Sequence, residues 1–258
     1  MFRVVIPARY GSARLPGKPL LQLAGRPLLQ WVYEQACASA AAAVVIATDD
    51  ERIAAAARQF GAHVVMTAPT HESGTDRIAE VAQAAVWHAQ DIVVNLQGDE
   101  PLMPPELLDQ VAELLAAHAA ADVATLASPI AHLDAHLDPN VVKVVTDLTG
   151  RALYFSRAPI PWSRDGATVG LVSQRSFAGA RRHVGLYAYR VAALQRLARL
   201  RPSPLETLEK LEQLRMLENG LTIRVADAIV APGPDVNTPE DLARVEATLE
   251  ARRAGAVS

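Results

Sequence analysis

The sequence predicts an α/β fold: a mostly parallel sheet with helices on both faces. Three observations lead to it. Over residues 1–120, short β-branched runs alternate with Ala- and Leu-rich segments of helical length. The runs are continuously apolar rather than alternating, the pattern of strands buried on both faces. No repeat, low-complexity tract or Pro/Gly-rich linker divides the 258 residues. One unit, 1–258, is therefore expected, with a regular half over 1–121 and a looser half over 122–258 that carries a smaller inserted excursion.

The elements follow in order. Strands are expected over 2–6, closed by Pro7, and over 43–47, stopped by Thr48-Asp49-Asp50. A third is expected over 63–66 and a fourth over 91–95, which ends at Gln97-Gly98-Asp99. The intervening helices span 27–39, 51–60, 74–88 and 104–120. Beyond residue 122, strands are expected over 123–130, 141–145, 152–155 and 183–189, with a Gly- and Ser-containing loop over 163–180. Ser203-Pro204-Leu205-Glu206 has capping-box spacing with proline at the first helical position, which predicts one helix running to 218. Thr238-Pro239-Glu240-Asp241 starts the final helix in the same way.

Composition narrows the function. Half of the residues are apolar and 21% are charged, which excludes disordered and collagen-like classes. A net charge of −3 gives no global reason to bind nucleic acid or an anionic membrane. The lone Cys37 cannot form an internal disulfide, and no apolar run has the length of a membrane span. A soluble cytoplasmic protein is expected.

Four stretches carry chemistry. The loop Ala8-Arg9-Tyr10-Gly11-Ser12-Ala13-Arg14-Leu15-Pro16-Gly17-Lys18 follows the first strand, where open α/β sheets bind ligands. Arg9, Arg14 and Lys18, with glycine backbone N–H groups, suit a polyanion such as a triphosphate. It is not a P-loop: Gly11 is one residue too far from Gly17-Lys18, and Pro19 stands where a metal-binding hydroxyl is needed. Any magnesium must be held by carboxylates elsewhere. Asp99, in Gln97-Gly98-Asp99-Glu100-Pro101, is placed to supply one, since Mg²⁺ is commonly held by one or two carboxylates plus substrate phosphates.

The third stretch is His71-Glu72-Ser73-Gly74-Thr75-Asp76-Arg77, a helix start whose small residues suit a base or ribose, or serve simply as a cap. The fourth is the helix from Leu205. On a continuous helical wheel Glu212 falls between Leu205 and Leu208, so it is expected to be buried against a ligand hydroxyl or a structural arginine. Gln213 would reach that site only at its edge. In the strand over 183–189, alternation puts His183, Gly185 and Tyr187 on one face.

Together these stretches resemble the 3-deoxy-manno-octulosonate (Kdo) cytidylyltransferases over nearly the whole chain. The likeness is carried by Ile6-Pro7-Ala8-Arg9-Tyr10, Arg14-Leu15-Pro16-Gly17-Lys18-Pro19-Leu20, Ser73-Gly74-Thr75-Asp76-Arg77 and Val94-Asn95-Leu96-Gln97-Gly98-Asp99-Glu100-Pro101. Ala152-Leu153-Tyr154-Phe155-Ser156-Arg157, Arg182-His183-Val184-Gly185-Leu186-Tyr187 and Leu211-Glu212-Gln213 continue it. The opening and metal motifs are shared more loosely with sialate cytidylyltransferases; the later ones are more specific to Kdo enzymes.

The resemblance implies the nucleotide-diphospho-sugar transferase (Rossmann-like) fold, with a nucleotide-binding half over 1–121 and a sugar-acid-binding and dimerisation half over 122–258. It implies transfer of CMP from CTP to Kdo, with Mg²⁺, in a homodimer serving lipopolysaccharide assembly. By the same likeness Ala8, Arg9, Ser12, Arg14, Lys18, Ser73, Arg77 and Gln97 bind the nucleotide, with Arg14, Lys18 and Asp99 catalytic. Gln97, Arg157, His183, Tyr187, Glu212 and Gln213 surround the sugar acid. Asp99 holds the metal together with Asp235 or Asn237. The family usually closes its site with Gly-Val-Asp-Thr-Pro-Glu-Asp-Leu, whereas this chain reads Asp235-Val236-Asn237-Thr238-Pro239. Alignment favours Asn237 as the second ligand, charge favours Asp235, and the expectation leans to Asp235. Two rivals stand beside this reading: transfer to another sugar acid such as sialate, and a nucleotide-binding regulator without catalysis.

Overall fold

The computed structural model describes residues 1–11, 15–166, 170 and 174–255, with 252–255 as backbone. Ser12 and Arg14, both expected at the nucleotide, lie outside the described residues. The strands are β1 (Phe2–Ala8), β2 (Gln22–Leu23), β3 (Arg26–Pro27), β4 (Ala43–Thr48), β5 (His63–Met66) and β6 (Ile92–Asn95). They continue with β7 (Val123–Pro129), β8 (Lys143–Thr146), β9 (Ala152–Ser156), β10 (Arg181–Arg190) and β11 (Ile223–Asp227). The helices are α1 (Leu28–Cys37), α2 (Glu51–Gln59), α3 (Gly74–Ala84), α4 (Pro105–Ala117), α5 (Leu133–Leu137), α6 (Val191–Leu197), α7 (Pro204–Glu209), α8 (Glu212–Glu218) and α9 (Pro239–Gly255).

The main sheet runs β11-β7-β10-β6-β1-β4-β5, with the β8–β9 hairpin attached to β10. Pairs within β6-β1-β4-β5 and between β11 and β7 are parallel. β10 runs antiparallel to both β6 and β7, so it joins two parallel blocks. Its position between them is not legible from a strand that lies so far along the chain.

Alternation along β1 sends Val4 and Ile6 to one face and Val5 to the other, all three fully buried. On the first face they meet Leu28, Leu29 and Val32 of α1 and Leu107, Leu108 and Val111 of α4. On the second, Val5, Val45 and Val93 meet Ile78 and Val81 of α3 and Leu194 and Leu197 of α6. Each such Leu, Ile or Val contributes roughly 1.5–3 kcal/mol through burial.

Two expected helices differ. The one expected over 74–88 stops at Ala84, because Val86 takes φ +53°, a left-handed backbone that ends the ladder. The one expected from Ser203 to 218 is broken. Lys210 sits at φ 55°, ψ 46°, and Leu211 is extended, so α7 ends and α8 begins again at Glu212. The leucine spacing is genuine, but the continuous wheel drawn through it is not.

Two glycines set how closely the segments around the strand ends can approach. A Cβ on Gly74 would lie 3.0 Å from the Pro7 ring, so a bare residue lets the start of α3 close on the end of β1. A Cβ on Gly233 would lie 2.3 Å from the Leu102 carbonyl oxygen, which holds the segment before α9 against the turn after Asp99.

Candidate active site

The carboxyl ends of β1 and β6 and the start of α3 enclose a cleft of about 370 Å³. Ala8, Arg9 and Lys18 line one side, Ser73, Gly74 and Arg77 another, and Gln97, Asp99 and Asn237 the floor. The described part of the first loop, the turn after β6 and the start of α3 thus converge, as a parallel sheet's carboxyl edge dictates.

At the floor, the Lys18 ammonium donates to Asp99 Oδ2 at 2.7 Å and to the Val236 carbonyl at 2.7 Å. Asn237 Oδ1 lies 3.4 Å from it. The Val236 N–H donates to the Asp99 carbonyl at 2.9 Å, which ties the segment before α9 to the turn after β6. Asn237, not Asp235, lines the cleft. Asp235 is exposed behind it and accepts from Asn237 Nδ2, which turns the amide oxygen inward. Asn237 faces the Lys18 ammonium while Asp235 stands outside the cleft lining, because the Thr238–Asp241 cap fixes the residue just before α9.

Hard oxygens of Asp99, Val236 and Asn237 already converge on one cation, the Lys18 ammonium. That donor chemistry fits Mg²⁺ completed by substrate phosphates. No cluster of three or more His, Cys, Asp or Glu stands ready for a metal among the described residues. Glu100 lies beneath this floor with Oε2 buried and unpartnered. Burial, then the charges of Asp99 and Asp235, pushes its carboxyl well above the usual range.

Around the cleft the commitments differ. Ser73 caps α3 through a full capping box with Asp76, so its hydroxyl is tied to the Asp76 N–H at 3.1 Å. Arg77 is buried, bonded to Thr67 and paired with Asp49 at 3.2 Å, so it braces the wall while lining it. Gln97 donates to Asn95 Oδ1 at 3.1 Å.

Glu212 belongs to a second, larger cavity that shares His71, Glu72 and Ser73 with the first. Its Oε2 accepts from Thr75 Oγ1 at 2.7 Å, while Oε1 is buried without a partner. Burial raises its carboxyl pKa. The helix break, rather than the wheel, turns Glu212 inward. Tyr187 Oη is likewise buried and unpartnered, and burial pushes that phenol well above its ordinary value.

His183 and Tyr187 do share a face, with rings 5.2 Å apart. The register against β7 slips between Val184 and Tyr187, leaving Gly185 and Leu186 unpaired. Two extra residues preserve parity, so both rings stay on one side. Thr125 Oγ1 lies 2.8 Å from the Leu186 carbonyl and 3.0 Å from His183 Nε2. With its single proton given to the carbonyl, that hydroxyl accepts from the imidazole, which assigns the Nε2–H tautomer.

Burial pushes the His183 pKa down to about 3 from 6.5. Between these values the unfolded chain takes up a proton that the folded chain refuses. The associated stability is complete above pH 6.5 and is lost as pH falls, at roughly 1 kcal/mol per unit. Urea unfolding at pH 7 and pH 5 is expected to cost the wild type more stability than His183→Phe. Equal losses would remove His183 from the acid response.

Gln213 is buried and outside both cavities. Arg157 lines neither: its guanidinium donates to the Glu209 carbonyl at 2.6 Å and the Pro139 carbonyl at 2.9 Å.

Relatives match this chain over nearly its whole length. A 3-deoxy-manno-octulosonate cytidylyltransferase of Pseudomonas syringae pv. syringae is 55% identical over 96% of this chain and 98% of its own length. One from Thioalkalivibrio sulfidiphilus is 56% identical over 97% and 99%. The chain belongs to the 3-deoxy-manno-octulosonate cytidylyltransferase family. The family model described as cytidylyltransferase matches residues 3–223. A solved structure of CMP:2-keto-3-deoxy-manno-octonic acid synthetase complexed with CTP superposes with a TM-score of 0.87 at 42% identity, covering 98% of this chain and all of that one. The fold is the nucleotide-diphospho-sugar transferase fold, as expected for a 3-deoxy-manno-octulosonate cytidylyltransferase.

Sequence reasoning missed Thr75, Asn95, Glu100 and Thr125. Asn95 and Thr125 carry a readable signal, a lone polar residue in an apolar strand run, and both are buried. Thr75 and Glu100 carry none beyond their proximity to Ser73 and Asp99.

Proposed function

We propose that this chain transfers CMP from CTP to Kdo, giving CMP-Kdo and pyrophosphate. The observation that carries the reading is the Lys18–Asp99–Asn237 cluster at the floor of a cleft otherwise rimmed by Arg9 and Arg77. It gathers cations for a triphosphate and hard oxygens for a metal at one place. The anomeric hydroxyl of the sugar acid attacks the α-phosphorus, and pyrophosphate leaves in line. Such a transfer needs positioning and charge neutralisation rather than a protein nucleophile. Arg9 and Lys18 neutralise phosphate oxygens, and the family likeness gives Arg14, from the same stretch of sequence, the same task. The small start of α3 takes the nucleoside. Glu212 Oε1 and Tyr187 Oη, buried and unpartnered, are groups that sugar hydroxyls would satisfy. A pyrophosphate-release assay with CTP, crossed against Kdo and N-acetylneuraminate, tests the reading. Turnover with Kdo alone is expected, and equal rates with both acids would overturn the sugar assignment.

Magnesium is part of the same reading. Asp99 and Asn237 would hold it, and the bound ion would supply charge neutralisation at the phosphates. The magnesium requirement for CTP binding is expected to rise more in Asn237→Ala than in Asp235→Asn, because Asp235 acts through the amide. The reverse order would return the ligand role to Asp235.

A cytoplasmic homodimer that feeds lipopolysaccharide assembly completes the proposal. No described helix is long and apolar enough to cross a membrane. Leu148 and Leu153 on the β8–β9 hairpin and Trp162 beyond it are exposed apolar side chains that a second copy would cover. The two halves, 1–121 for the nucleotide and 122–258 for the sugar acid and the second copy, work as one domain.

A further inference from the structure

The break between α7 and α8 needs an explanation of its own. Lys210 is a non-glycine residue in the left-handed region, a conformation that persists only where surrounding contacts over-determine it. Without it, α7 would run on, and Glu212 would rotate away from Thr75. What holds the break is the residue just before it. The Glu209 carboxylate accepts from Ser156 Oγ at 2.8 Å, Tyr154 Oη at 3.0 Å and the Arg157 N–H at 2.6 Å. Its carbonyl accepts from Arg157 Nε at 2.6 Å. Arg157 is held in turn by Lys143, a fully buried ammonium that donates to the Arg157 carbonyl at 2.7 Å. A separate tie, Arg215 Nε to Glu206 Oε2 at 2.7 Å, spans the break but does not reach β9.

We propose that Glu209, clamped to the end of β9 by Ser156, Tyr154 and Arg157, is a positioning residue that sets the helix break and thereby aims Glu212 at the sugar acid. Two residues separate Glu209 from the group it aims, and the clamp is anchored on the β8–β9 hairpin, away from the triphosphate cradle. Loosening it therefore affects one substrate and spares the other.

The proposal rests on Glu212 facing the sugar acid in the CTP-to-Kdo reaction, so wild-type turnover is measured first; its absence overturns that reading, and this one with it. Given turnover, Glu209→Ala is expected to raise the KM for Kdo about tenfold while leaving the KM for CTP within about twofold. Glu209→Gln keeps an acceptor oxygen for the Arg157 N–H and is expected to restore most of the loss. Ser156→Ala removes one clamp bond without touching the helix, and a smaller shift in the same direction is expected even if Glu209→Ala does not fold. KM values for both substrates rising together, or a Kdo KM unmoved in Ser156→Ala and Glu209→Ala, would overturn the positioning role.

Discussion

Asp99→Asn is expected to lower kcat/KM by about a hundredfold to a thousandfold, the range seen when one preorganised electrostatic group is removed from a transition state. The melting temperature should stay nearly constant, for reasons visible in the floor of the cleft. The substitution keeps the side-chain shape and an oxygen for the Lys18 ammonium, which also retains the Val236 carbonyl at 2.7 Å. The Asp99 backbone carbonyl still accepts from Val236. Removing one negative charge also relieves Glu100, whose carboxyl Asp99 helps to push upward. Function and stability should therefore separate. Near-wild-type pyrophosphate release at saturating magnesium would sink the assignment.

Lys18→Met should do the opposite to stability while harming activity as much. The ammonium has a side-chain exposure of only 13% and is the cation that Asp99 faces at 2.7 Å. Methionine keeps the stem but leaves Asp99 without that partner. The expected cost is about 1–3 kcal/mol of folding stability, the penalty for leaving a charged partner unmet. Catalytic efficiency should fall about a hundredfold or more through the lost phosphate contact. The double variant with Asp99→Asn should recover part of the stability, since the two residues share one interaction. Denaturant unfolding reads the first effect and steady-state kinetics the second. A defect confined to the KM for Kdo would place Lys18 on the wrong substrate.

The cleft at the carboxyl ends of β1 and β6 was legible because its signals are local. A polar turn after a buried strand marks the carboxyl edge of a parallel sheet, so Arg9, Lys18 and Asp99 could be placed in one crevice from the sequence, while Ser73 read equally as a plain helix cap. The surroundings of Glu212, His183 and Tyr187 depend on events that spacing does not encode. Glu212 turns inward as expected, with Oε1 buried, but because of a break at Lys210 that no helix signal announces. His183 and Tyr187 share a face only because the slip in β10 adds two residues rather than one. Arg157 was assigned by likeness, and two of its guanidinium N–H groups donate to the Glu209 and Pro139 carbonyls, contacts invisible in sequence. Asn237 over Asp235 turned on a helix cap against a charge argument, and the cap decided the geometry.

The seat of β10 in the sheet has a further consequence, in the order of synthesis. During translation, β6 and β7 both leave the ribosome well before β10, yet neither pairs with the other; each waits for the same late strand. Until Arg190 emerges, β6 presents an unpaired edge of Ile92-Val93-Val94-Asn95, an apolar strand with no charge to discourage a stray partner. The nascent chain thus passes through a window in which the β6-β1-β4-β5 block is assembled but unsealed, and strand invasion by a neighbouring chain competes with closure. Closure by β10 ends that window and sets the His183–Tyr187 face beside Asn95 in the same act.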